Sequence, residues 1–273
     1  MLLACALGVC SVLQARGQQH ADLTFILGGL AARTQQYYDR FISIICTETI
    51  QKQNLRVNLA PAGRPRTSVY ELSVSRHGGD KDEGQFRVER TLQSVDGRAV
   101  RKGQTPECTD PKTGTPEPLE FLLAGNQSQY RFALADSGDG PSGARALDFV
   151  QTPPEQVRIS WAGSCFEAQG GGHHGRVWFD PASYDVLRVD VRLSKPFLVP
   201  LPAGDFGIRP AIKVERSEMS LRFSRVEFQQ PDEVLMLPHS IESLHVLRGV
   251  ASLKIQQTLA NYRRFLTQSE IRP

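Results

Sequence analysis

The chain is 273 residues long, 40% hydrophobic and 22% charged, with a net charge of +3. That length and apolar content bury a full core, in one large β domain or two small ones, and the charged fraction excludes disorder. Basic residues are interspersed with acids, as in Arg87, Glu89 and Arg90, which reads as solvated faces and excludes the broad basic field of a nucleic-acid binder.

Residues Leu2 to Leu13 form an apolar run of signal-peptide length, too short to span a bilayer. Ala15-Arg16-Gly17 puts small residues at both positions a signal peptidase reads. This predicts a leader over 1–17, one mature domain over 18–273, and a periplasmic or otherwise exported location. No basic n-region precedes the run, so the true start is expected upstream, and without one the box Leu2-Leu3-Ala4-Cys5 lacks the h-region that lipidation of Cys5 needs. Of the five cysteines, Cys46, Cys108 and Cys165 lie beyond the leader. An oxidising compartment lets two of them pair, with all three pairings open. Their spacing matches no zinc pattern.

From Asp22, an expected N-cap, Leu23, Ile26, Leu27, Leu30, Tyr37, Tyr38, Phe41, Ile44 and Ile45 recur with helical period. The spacing predicts one amphipathic helix from Leu23 to Ile45, with a polar turn near Arg33 and Thr34 and with Gly28 and Gly29 weakening its start. After Cys46 the period becomes two. Tyr70, Leu72 and Val74, then Tyr130, Phe132 and Leu134, then Val157, Ile159 and Trp161, then Leu187, Val189, Val191 and Leu193 each alternate with polar or small residues. One dry face and one wet face per strand is the mark of antiparallel sheets. The run Met219, Leu221, Phe223, Val226, Phe228 slips phase by one residue, as a β-bulge does. Turn clusters at Val95-Asp96-Gly97-Arg98, Gly170-Gly171-Gly172 and Asp180-Pro181-Ala182-Ser183 divide the strands. The Pro- and Gly-rich stretch Gly103 to Pro118 reads as a long loop leading to a short helical piece around Leu119 to Ala124. The expected fold is mainly β (α+β): a strongly curved antiparallel sheet or unclosed barrel with the N-terminal helix packed on its concave face.

Chemistry-bearing motifs are sparse. Gly138-Asp139-Gly140-Pro141-Ser142-Gly143 spells a dinucleotide pattern, but Pro153-Pro154 closes the segment after it and no helix follows to face a pyrophosphate, so a hairpin loop is expected. His173 and His174 read as a solvated glycine-rich loop, His77 beside Asp80, Asp82 and Glu83 as a polar hairpin loop, and His239 and His245 as strand residues. Cys165 at a strand end reads as a buried or disulfide-bonded thiol. No serine elbow, Ser-x-x-Lys pair or oriented cysteine stands out, so no metal, cofactor or catalytic group is expected.

Gly175-Arg176-Val177-Trp178-Phe179-Asp180-Pro181, followed by Val186-Leu187-Arg188, resembles a hairpin of LolA-like lipoprotein-sorting carriers, as does the order of leader, long helix and β meander. The resemblance implies an unclosed barrel holding acyl chains. Tyr37 to Gln53, with Cys46, Glu48 and Gln51, and Leu237-Pro238-His239-Ser240 with Asn261-Tyr262-Arg263-Arg264-Phe265, resemble a group of uncharacterised exported bacterial proteins. The functional expectation is a monomeric, non-catalytic binding module for an apolar small molecule, lipid, acyl chain or lipoprotein, with membrane-surface association open. Its ligand would lie against Tyr37, Tyr38, Phe41, Ile44, Leu187, Val189 and Val191. The alternatives are a surface-interaction or envelope-sensor module with a filled core, and a hydrolase assembled from distant loops. An apolar cavity, a filled core or clustered titratable groups in a cleft would separate the three.

Overall fold

A computed structural model describes residues 6–41, 43–76, 86–100, 117–153, 156–162, 165–201 and 211–264. In chain order, α1 (Ala6–Arg40) is followed by β1 (Ile44–Leu55), β2 (Arg66–Arg76), β3 (Phe86–Val95) and β4 (Arg98–Ala99). Two 3-10 segments, Glu117–Leu122 and Gln127–Gln129, lead to β5 (Tyr130–Ala135) and β6 (Arg145–Gln151). Then come β7 (Arg158–Ala162), β8 (Cys165–Gln169), β9 (His173–Phe179), β10 (Val186–Leu193), β11 (Phe197–Pro200), β12 (Ala211–Gln229), β13 (Asp232–Arg248) and β14 (Ser252–Arg264). Among the described residues, twelve strands form one open sheet in the order β4-β3-β2-β1-β14-β13-β12-β10-β9-β6-β5, with β11 on β12 and β7–β8 a separate hairpin. Every pairing within it is antiparallel.

The helix packs on the concave face. Ile26, Leu30 and Tyr38 of α1 and Leu119, Phe121 and Leu122 of the first 3-10 segment meet Cys46, Leu72, Leu147, Phe149, Val177, Phe179, Val189, Leu221, Ile241 and Leu259 from eight strands. Ile26, Leu30 and Phe41 are 0–1% exposed, and burying side chains of this size stabilises by about 1.5–3 kcal/mol each. Gly29 has a packing role: a Cβ there would lie 2.7 Å from the Tyr184 ring, which stacks on Phe179 at 6.1 Å. A helical glycine that weakens the helix locally thus admits an aromatic contact between α1 and the β9–β10 turn.

Both ends of the helix differ from the sequence expectation. Asp22 is no cap, because the helix runs back without a break to Ala6, through the segment read as a leader. At the other end it stops at Arg40, and Ser43 takes φ +59 before β1 begins at Ile44, so Ile44 and Ile45 are strand residues. Apolar residues at that spacing serve either period when the chain turns, and the inward-facing Ile44, Cys46 and Ile50 reveal which won.

Where side chains are described the strand phases hold with one correction, the side chain of Trp161 lying outside them. Val186 pairs with Phe179 and Arg188 with Trp178, so Leu187 is the extra residue of a bulge. Leu187 therefore packs against Ala144, Ala146 and Trp178 on the outer face, while Val186 takes its place inside. Along β12 the expected slip is present, but near Phe223 the extra residue is His239 of the partner strand, between Ser240 opposite Arg222 and Pro238 opposite Phe223. The glycine pattern at Gly138 to Gly143 is a hairpin loop between β5 and β6, lying over Trp178. The Trp178 Nε1–H donates to the Ser137 carbonyl at 2.7 Å, and a Cβ on Gly140 would come within 2.1 Å of the indole. His173 and His174 open β9 rather than forming a loop, paired with Leu193 and Arg192. The predicted loop over 103–118 lies mostly outside the described residues, and His77, Asp80, Asp82, Glu83 and Cys108 lie wholly outside them.

Candidate functional site: a cleft beside the helix and a polar knot beneath it

The carboxyl-terminal half of α1 meets the sheet at a cleft. Arg33, Thr34, Gln36, Tyr37 and Arg40 form its helical wall, and Leu119, Val186, Phe223, Leu235 and Met236 form an apolar opposite wall. Counted with its open mouth the cleft encloses about 400 Å³, but its cavity volume is about 30 Å³, room for about one water. Arg33 fixes the cleft's edge: its Nε donates to Asp185 Oδ1 at 2.6 Å and its Nη1 to Gln36 Oε1 at 3.1 Å. Asp185 is held in turn by the Ser183 hydroxyl at 2.9 Å, within the Asp180–Asp185 turn that the Asp-Pro sequence signalled.

Beneath α1, polar groups gather on the concave face. Glu48 alternates in phase with Ile44, Cys46 and Ile50, so its carboxylate points inward, is 0% exposed, and accepts from Arg90 Nε of β3 at 2.7 Å. Tyr262 of β14 donates its hydroxyl to the Pro238 carbonyl and shares a hydrogen bond with Cys46. Tyr37 reaches the same spot from the helix and stacks on Phe41 at 5.1 Å. The two stretches that resemble exported bacterial proteins therefore meet here, because the first strand of the sheet pairs with the last. Gln51, in the opposite phase from Glu48, faces outward.

Cys46 is a free, buried thiol. This excludes the two pairings that involve Cys46. Burial first, and then the Glu48 carboxylate, push the Cys46 thiol up from 9.0 to about 12, against the opposing pull of Arg90 and the Tyr262 hydrogen bond. A raised folded-state pKa means stability fully present below the unfolded thiol's value and lost as pH climbs through the folded one. The expected result is a denaturation midpoint that falls between pH 9 and about 12, and a Cys46 thiol inert to thiol reagents near pH 8 in the native protein. Cys46→Ala should remove part of that fall, with Tyr37 and Tyr262, also raised by burial, supplying the remainder. Fast labelling at Cys46 of native protein at pH 8, located by peptide mass spectrometry, would contradict this placement.

The sequence-expected ligand residues divide. Tyr37 lines the cleft. Tyr38, Phe41 and Ile44 are packed in the core at 6%, 1% and 1% exposure, Val189 is fully buried and Val191 partly so, and Leu187 is on the other face. Phe223, Leu235 and Met236 were missed as cleft residues because, although β12 and β13 form a local hairpin, only its tertiary packing against α1 brings them to the helix. A second groove of about 310 Å³ runs across the outer face, bordered by Asp190, Arg192, Glu218, Ser220, Glu242, Leu244 and Lys254. Its charges largely answer one another, with Glu218 near Arg192 and Arg216 at 3.9 and 3.7 Å and Asp190 held by Arg188 at 2.7 Å, as on a solvated sheet face. Ser217 Oγ lies 3.0 Å from His245 Nδ1 as a direct cross-strand pair, and burial pushes that imidazole's pKa down. Among the described residues no three His, Cys, Asp or Glu side chains group to hold a metal ion, and no helix is long and apolar enough to cross a membrane.

No family model and no curated protein matches the sequence. A solved structure, that of a LolA superfamily protein from Nitrosomonas europaea, aligns over 89% of this chain and 94% of that one, at 9% identity and a TM-score of 0.37.

Proposed function

We propose that this chain is a non-catalytic binding module of the bacterial envelope, exported by removal of residues 1–17, whose ligand is an acyl chain entering the cleft between α1 and the β12–β13 hairpin. The observation that carries the reading is the cleft's apolar wall of Val186, Phe223, Leu235 and Met236, opposite the helix. Its small volume requires α1 to move outward for a chain to enter. That movement would expose Tyr37, and a wider one Tyr38 and Phe41, which extends the proposed contact set to Val189 and Val191 on the sheet. A fluorescent fatty-acid probe should bind delipidated protein saturably, and Met236→Glu should weaken it about tenfold or more by placing a charge in the apolar wall, with circular dichroism unchanged. The small volume of the cleft favours a second reading, a module that works through its surface. Absence of probe binding by folded wild type would decide for it.

A further inference from the structure

Thr34 lines the cleft, the residue is 2% exposed, and its buried Oγ1 has no hydrogen-bond partner among the described residues. A buried hydroxyl in that state is costly unless something else satisfies it. On the same helical wall stand Arg33, Gln36 and Arg40. Arg33 is engaged by Asp185, whereas Arg40, exposed in the last turn of α1, has no ion pair among the described residues. Two guanidiniums against one carboxylate leave the mouth with a surplus positive charge on Arg40. The helix carboxyl terminus opposes an anion by about half a charge at most, less than the full charge that Arg40 supplies. Polar atoms thus gather on the helical side of the cleft and apolar ones on the sheet side, the division an amphiphile matches.

Resting on the reading of this cleft as an acyl-chain site, we propose that its ligand carries an anionic head, a carboxylate or phosphate on a single chain. The head lies at the mouth beside Arg40, Thr34 Oγ1 donates to it, and the chain follows Phe223 and Met236 inward. Displacement of a dansylated fatty acid by oleate, oleoyl lysophosphatidate and oleyl alcohol tests this. At least one of the two anions should displace the probe about tenfold more effectively than the alcohol, the ratio that one charge-assisted hydrogen bond supplies, and comparing oleate with lysophosphatidate identifies the head. Arg40→Gln and Thr34→Val should each shrink that preference. Thr34→Val should also raise the melting temperature, since it removes a buried hydroxyl without a partner and nearly preserves shape. Equal displacement by anions and alcohol would overturn the anionic head and leave the chain site standing, whereas a probe that does not bind at all would overturn the chain site itself. A melting temperature lowered by Thr34→Val would overturn the assignment of that hydroxyl to the ligand.

Discussion

Phe179→Ala and Trp178→Ala should each cost about 3–5 kcal/mol in denaturant melts, although the two side chains point to opposite faces of β9. Phe179 is 0% exposed in the main core, stacked on Tyr184. By strand parity Trp178 faces outward, where truncation is ordinarily mild. Here it is 2% exposed, because the β5–β6 loop lies over it, Ala144, Ala146 and Leu187 pack around it, and the Arg188 guanidinium sits 4.5 Å from the ring centroid. Its indole N–H bond to Ser137 would also be lost. A Trp178→Ala loss of under about 1 kcal/mol, the range of an ordinary surface change, would mean that the loop does not seal this face.

Arg90→Met should be as damaging, about 3–5 kcal/mol, because it takes the guanidinium away from a fully buried carboxylate. Glu48 is 0% exposed and Arg90 Nε is 2.7 Å from it, reaching over β2 from β3. The double variant Glu48→Leu, Arg90→Met should recover most of the loss, since replacing both charges with apolar groups of similar size removes the desolvation cost together with the attraction. A double-mutant cycle in urea reads the coupling directly. Strictly additive losses would show that the two groups do not depend on each other.

The alternating strands were readable because one face of each is dry, and Tyr70, Leu72 and Val74 at 1% exposure are where period two puts them. Leu187 escaped because a bulge shifts phase by one residue without altering composition. The bounds of α1 escaped because periodicity continues smoothly from helix into strand at Ile44, and because the apolar run from Leu2 to Leu13 has no phase to mark a start. The burial of Trp178 was not legible, since its cover comes from Ser137 to Ala144, some forty residues away, and only tertiary packing decides that. The cleft was legible on its helical side at Tyr37 alone. Thr34 looked like an ordinary polar turn of an amphipathic helix, and nothing short of the fold distinguishes a buried hydroxyl from a solvated one.

The pairing of β1 with β14 sets a constraint on the order of assembly. Ile44 lies opposite Arg264 and Leu55 opposite Ser252, so the middle of the sheet is closed by the first long strand and the last, about two hundred residues apart. Loop closure over such a separation is entropically demanding and slow compared with forming the local hairpins. A nascent chain can form the β2–β3 or β12–β13 hairpin early, but it cannot seat Glu48, Cys46 and α1 against their final neighbours until Tyr262 has been synthesised. The chain is therefore held open by its own connectivity until β14 is made, and removal of β14 would cost it the docking of its first helix as well as its last strand.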